Sequence, residues 1–308
     1  MTIVSISDTD SKLDKIIRSR KDPTPQYVGE EIVIPLISVG KLLIIEAEID
    51  SLVGNFIFDT GAPCLVLNQT YFRDYQEVPG YYAGGITGRL GEARATEVGS
   101  LSFRGITYEN IDADVADLSQ IENARNVKIL GLMGLNLFKS FEVEIDIREG
   151  FLRLKKCDKK GETLKLSDSK YDFINPISIY DNTVFTECEI AGKKLIFGFD
   201  TGAEINALDI ESGDKILSTV RITGRSTLTG TGSERVEIIL GRLNDFRMGE
   251  LELLGMHTII TKLEDISDAY GTKLNGVLGY DFLARGRVKI NMRKKELSFD
   301  LYDKLVNE

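Results

Sequence analysis

The pentapeptide Phe-Asp-Thr-Gly-Ala occurs twice in this 308-residue chain, at positions 58–62 and 199–203. A lone Asp-Thr-Gly arises by chance in roughly one in twenty chains of this size; a second, identical five-residue copy does so in on the order of one in a thousand or fewer. The two aspartates are 200 − 59 = 141 positions apart. A later pair of segments aligns as well. Gly131-Leu132-Met133-Gly134-Leu135-Asn136-Leu137-Phe138 corresponds to Gly276-Val277-Leu278-Gly279-Tyr280-Asp281-Phe282-Leu283, at an offset of 276 − 131 = 145. A drift of four residues between the offsets is one or two loop changes, so the chain reads as two like halves.

The local pattern in both halves is strand. Residues 142–147 (Glu-Val-Glu-Ile-Asp-Ile) and 287–292 (Arg-Val-Lys-Ile-Asn-Met) alternate polar and apolar with period two, as half-buried strands do. Each runs into a short polar turn, 148–150 or 293–295, and then a second alternating strand, which makes a hairpin. Upstream, 43–49 leads through a turn at 50–54 into 55–58, and 185–190 leads through 191–193 into 195–199. Each aspartate therefore lies just past the second strand of a hairpin. Residues 119–125 and the two segments after Gly134 and Gly279 read as short helices of about two turns. The expected organisation is an extension at 1–31, with 12–20 weakly helical, a first lobe at 32–156, a connector at 157–170 and a second lobe at 171–308.

Composition narrows the function classes. With 42% hydrophobic and 28% charged residues the chain has the mix of a soluble globular protein. A formal net charge of −10 disfavours nucleic acid and anionic membrane surfaces, both of which need a cationic face. The apolar runs are too short to span a bilayer. Cys64, Cys157 and Cys188 are odd in number and lack metal-type spacing, and they read as buried free thiols in a reducing, cytoplasmic compartment. The start of the chain does not read as a signal peptide; export remains open if a leader has been removed. One histidine, His257, leaves no basis for a His-based zinc site or for a nucleophile triad built on several histidines. No metal and no cofactor is expected.

Two carboxylates delivered by copies of one turn suit acid–base hydrolysis, in which close neighbours share a proton because both cannot ionise. The paired motifs resemble the aspartic peptidase superfamily, specifically a bacterial single-chain protein with two retropepsin-like lobes. The resemblance rests on Asp59-Thr60-Gly61-Ala62 and Asp200-Thr201-Gly202-Ala203, each followed later by two apolar residues and a glycine, Leu132-Met133-Gly134 and Val277-Leu278-Gly279. It implies an all-β fold of two pepsin/retropepsin-like β-barrel lobes with a few short helices and a cleft between them. It implies an aspartic endopeptidase in which Asp59 and Asp200 are catalytic, the Thr60 and Thr201 hydroxyls bond across to the opposite loop, and the second motif supports the aspartate loop from behind. It also implies glycine-rich flaps: Tyr82, Gly84, Gly85 and Ile86 in the first half, Gly230, Thr231 and Gly232 in the second. The substrate would be a peptide or protein bound as an extended strand, and the enzyme would act as a monomer.

The sequence departs from the pepsin pattern in two places. The flap tyrosine has no secure counterpart, and alanine follows the glycine in both motifs where a hydroxyl residue is common. Fewer hydrogen bonds to the anion raise its pKa, so the expected pH optimum is mildly acidic, roughly pH 4–6.5. Two other classes stay open: a non-catalytic peptide-binding or regulatory module on the same fold, and an unrelated β-protein with structural repeats. The remaining residues read as structure. Cys64 is a small buried hydrophobe, and His257 is a structural or surface residue. Asp112 and Asp114 lie on an exposed sheet face, and Leu65, Ile86, Leu135, Ile205 and Tyr280 serve core packing.

Overall fold

Hairpins organise the chain from its first strands onward. The structure, a computed structural model, describes residues 22–75, 78–85, 88–165, 171–229, 235–269 and 273–302, with backbone alone at 78–85, 88–93, 228–229, 235 and 269. The first half contains β1 (Glu31–Pro35), β2 (Ile37–Val39), β3 (Leu42–Ile49), β4 (Leu52–Phe58), β5 (Leu65–Asn68), β6 (Val78–Gly85), β7 (Gly88–Phe103) and β8 (Ile106–Ala116). Helix α1 (Ser119–Arg125), β9 (Ile129–Met133), a 3-10 turn (Leu135–Phe138), β10 (Phe141–Asp146) and β11 (Phe151–Lys156) complete it. The second half opens with β12 (Phe173–Tyr180), β13 (Thr183–Ile190), β14 (Lys193–Phe199), β15 (Asn206–Asp209), α2 (Asp214–Leu217), β16 (Val220–Thr229) and β17 (Arg235–Leu243). It ends with β18 (Phe246–Met248), β19 (Leu251–Leu253), β20 (Met256–Thr261), α3 (Glu264–Ala269), β21 (Gly276–Leu278), α4 (Tyr280–Leu283), β22 (Gly286–Asn291) and β23 (Glu296–Leu301). The fold is all-β with a few short helices.

The two halves use the same pairings. Strand β4 runs parallel to β9, β9 antiparallel to β5, and β5 parallel to β8. In the second half β14 runs parallel to β21, β21 antiparallel to β15, and β15 parallel to β20. The turns before each aspartate are tighter than the sequence suggests. The β3–β4 turn needs only Asp50 (φ 43°) and Ser51 (φ 73°), and the β13–β14 turn only Ala191 (φ 53°) and Gly192 (φ 71°). Two consecutive positive φ values are the signature of a two-residue turn whose twist matches the flanking strands. Residues 52–54 and Lys193 therefore belong to strands. The apolar segments after Gly134 and Gly279 form one turn of helix each, where about two were expected, because the chain must enter β10 and β22 within a few residues.

The halves are joined by main-chain hydrogen bonds. Strands β1, β11, β10, β22, β23 and β12 lie side by side in that order within one 15-stranded sheet, and β10 pairs antiparallel with β22 across the boundary. One of the opposed pairs is Glu144 with Lys289, and these residues are themselves 289 − 144 = 145 positions apart. They are therefore equivalent residues facing each other on a local two-fold axis. Val143, Ile145, Val288 and Ile290 turn one face of this junction into the main core. The other face is polar, yet Glu142, Glu144 and Asp146 are buried there, which corrects the half-buried reading. Arg153 and Lys289 lie 3.8 Å and 3.4 Å from Glu144 and Glu142, and the Lys289 ammonium sits over the Tyr171 ring. Among the described residues no helix is long and apolar enough to cross a membrane.

Candidate active site

Each aspartate is held where a strand ends. Asp59 follows β4, and its N–H donates to the Met133 carbonyl of the neighbouring β9 at 3.0 Å. The chain then turns sharply: the Ala62 N–H donates to the Asp59 carbonyl at 3.2 Å, and the Gly61 N–H donates to Asp59 Oδ1 at 2.9 Å. Asp200 repeats the arrangement on β14 and β21. Its N–H donates to Leu278 O at 2.9 Å, and its Oδ1 accepts from the Gly202 N–H at 2.8 Å. Behind each loop sits a glycine with no room for a side chain. A Cβ at Gly134 would strike Ala62 O and Cys64 O, and one at Gly279 would strike Ala203 O. Phe58 and Phe199, fully buried, anchor the strands edge-on against Phe138 and Phe282.

The loops interlock through their threonines. The Thr60 N–H donates to Thr201 Oγ1 and the Thr201 N–H donates to Thr60 Oγ1, both at 3.0 Å. Each hydroxyl then donates onward, Thr60 to Phe199 O at 2.9 Å and Thr201 to Phe58 O at 2.7 Å. Four reciprocal bonds thus cross between the halves with every donor and acceptor satisfied. In a fully buried position this fixes one loop against the other.

This grip brings the two carboxyl groups into direct contact. A Cβ on Gly61 would lie 2.6–2.8 Å from the carboxyl atoms of Asp200, and one on Gly202 2.7–2.8 Å from those of Asp59. Only glycine allows each loop to pass so close to the opposite aspartate. Both side chains are almost wholly buried, 1% and 2% exposed. Burial, the Asp200 charge and a hydrogen bond to Asp200 hold the Asp59 carboxyl well above the usual carboxylate range; the Gly61 N–H pulls the other way and does not offset them. Asp200 Oδ2 is buried and accepts no further hydrogen bond among the described residues. Ala62 and Ala203, both buried, add no hydroxyl to the pair. Such a pair holds one proton readily and presents one acid and one base side by side.

The flap residues stand differently. Strands β6 and β7 form an antiparallel hairpin with Tyr82 opposite Glu92, Gly84 opposite Arg89 and Gly85 opposite Gly88. Helix α3 of the second half lies against β6. Strands β16 and β17 form the corresponding hairpin. Ile86, Gly230, Thr231 and Gly232 lie outside the described residues. One reading is corrected: Asp114 is not on an exposed face but fully buried, and it accepts a hydrogen bond from the Cys64 thiol at 3.0 Å. Parallel pairing of β5 with β8 carries Asp114 beside Val66, under the first aspartate loop. His257 is exposed in β20, opposite Arg242. The sequence reading passed over Lys41, Arg125, Glu204 and Asp281, charged residues that meet beside the second loop. Aligning the halves at an offset of 141 would have exposed the odd pair Pro63 and Glu204.

Residues 186–282, from β13 to α4, match the family model described as "Aspartyl protease". No curated protein matches the chain. With the matched segment carrying Asp200 and its supporting Val277-Leu278-Gly279, the chain is related to the aspartic peptidase superfamily and has that superfamily's all-β fold.

Proposed function

We propose that this protein is an aspartic endopeptidase that hydrolyses peptide bonds with a water activated between Asp59 and Asp200. The observation that carries the reading is the buried contact of the two carboxyls, held by the reciprocal threonine bonds, with Asp59 pushed toward its protonated form. The ionised member of the pair takes a proton from water as its oxygen bonds to the scissile carbonyl carbon. The protonated member gives its proton to the carbonyl oxygen, and a neutral gem-diol forms. A proton then passes from the pair to the amide nitrogen, a gem-diol hydroxyl returns its proton to the pair, and the C–N bond breaks to leave acid and amine. The interlocked loops keep the carboxyls at working distance throughout.

The substrate is an extended peptide or protein segment, laid between the pair and the β6–β7 and β16–β17 hairpins and recognised through its backbone. Both aspartates come from one chain, built by duplication of a retropepsin-like half, so the monomer is the active unit. Three free, buried cysteines accord with a reducing, cytoplasmic setting.

The test is cleavage of a peptide library from about pH 3 to pH 7 by the wild type, Asp59→Asn and Asp200→Asn. Activity present in the wild type and absent from both variants is the expected result. Cleavage that survives in either single variant overturns the shared pair. A folded wild type that binds peptides without cutting them turns the assignment to a binding module.

A further inference from the structure

Beside the second aspartate loop the local two-fold that relates the halves is broken by charge. Lys41 corresponds to Asn182 and Pro63 to Glu204, both at an offset of 141, and Asn136 corresponds to Asp281 at 145. On the first-loop side the contact between halves is neutral: Asn182 Nδ2 donates to Pro63 O at 2.8 Å. On the second-loop side it is ionic. Lys41 Nζ lies 3.0 Å from Asp281 Oδ2 and 5.4 Å from the centre of the Tyr280 ring, and Arg125 pairs with Glu204. The two pairs are contiguous, because a Cβ on Gly40 would sit 3.7 Å from both the Arg125 guanidinium carbon and Glu204 Oε2. All the cations come from the first half and all the anions from the second.

The anions sit on the two segments that hold Asp200. Glu204 is four residues beyond it on the same loop. Asp281 is next to Tyr280, whose N–H donates to Ala203 O at 2.8 Å. The cations sit on firm ground, Lys41 at the head of β3 and Arg125 at the end of α1, where Glu122 is tied to Tyr71, Asn68 and the Ile129 N–H.

We propose that Lys41 and Arg125 with Asp281 and Glu204 form a one-sided electrostatic clamp that positions the second aspartate loop against the first. Resting on the endopeptidase reading, it makes these four positioning residues for the proposed reaction. Among the described residues the equivalent contact at the first loop is the neutral Asn182–Pro63 hydrogen bond, so the pair of carboxyls is referenced to the first half and its spacing responds to ionic strength. The members are between 15% and 39% exposed, within reach of screening by salt.

The test measures kcat and KM of the full chain at low and high salt for wild type, Lys41→Gln/Arg125→Gln, and the charge swap Arg125→Glu/Glu204→Arg. The expected result is a kcat lowered about three- to tenfold in the double neutral variant, the scale two half-exposed ion pairs can supply. KM should stay unchanged, the salt dependence of kcat should disappear, and the charge swap should restore most of the rate. A neutral variant with wild-type kcat and wild-type salt response overturns the clamp, as does a charge swap that restores folding but not rate. If the wild type proves to cut nothing, the endopeptidase reading fails on its own. The clamp is then judged by thermal unfolding: it stands if the salt-dependent part of Tm vanishes in the neutral variant and falls if it persists.

Discussion

Thr60 and Thr201 show how much depends on single polar atoms at this site. Each hydroxyl accepts one N–H and donates to one carbonyl in the opposite half, with no water available to replace either partner. Thr60→Val keeps the shape but strands the Thr201 N–H and the Phe199 carbonyl, and the expected loss is about 2–4 kcal/mol of stability in urea unfolding. Thr60→Ser should recover most of it, since the hydroxyl and not the methyl makes the bonds. Asp59 gives a prediction with a definite sign. Its folded-state pKa lies above the ordinary 3.8, so the folded protein binds a proton that the unfolded chain gives up. Its contribution is fully present below about pH 4 and is lost as pH rises through the raised value. Asp59→Asn should therefore come close to the wild type in stability at about pH 4 and be the more stable of the two at pH 7. A stability difference that is the same at both pH values would falsify the raised pKa. The two aspartates were legible in the sequence because a tight turn is specified by adjacent residues and this turn is written twice. Asp114 was not: a carboxylate in an alternating strand looks solvent-facing, and only the fold places Cys64 above it.

Elements made of local contacts could be read, and those made of distant ones could not. The hairpins β3–β4, β10–β11 and β22–β23 follow from period-two alternation and turn residues. The β10–β22 pairing that welds the halves joins segments nearly half the chain apart, and alternation says nothing about which strand lies alongside. The same blindness hid the burial of Glu142 and Glu144, whose cover comes from β11, β22 and Tyr171. The central pair of this junction carries its own prediction. Two copies of one half would set Glu144 against Glu144 or Lys289 against Lys289; this chain sets Glu144 against Lys289. Glu144→Lys would put a buried cation among Lys289 and Arg153, and the expected cost is about 3 kcal/mol or more. Adding Lys289→Glu should return part of that loss, the remainder being the Arg153 contact with Glu144 and the Lys289 contact with Glu142, which the second change makes repulsive. Denaturation midpoints of the two variants, with no recovery in the double, would show that the charges at the axis do not interact.

At the scale of the whole molecule the question is what a single chain gains over two associating copies. The six strands β1, β11, β10, β22, β23 and β12 make one continuous hydrogen-bonded layer that spans both halves. A shared core runs beneath it, from Phe58 and Phe138 in one half to Phe199, Phe282 and Phe299 in the other. Assembly of the carboxyl pair is thus part of folding and carries no concentration term. For a site assembled from two separate copies, the active fraction would fall on dilution by mass action. Here specific activity should stay constant from about 10 µM down to about 1 nM enzyme, the activity eluting with the 308-residue monomer on size exclusion. The layer also lets the halves diverge, since neither need be self-complementary. The opposed Glu144 and Lys289, and the ionic contact at Glu204 where the other half has Pro63, are changes a symmetric pair would have to accept twice. If specific activity instead drops in proportion to enzyme concentration, the functional unit contains a second chain, and the one-chain pairing of Asp59 with Asp200 loses its claim to be the active arrangement.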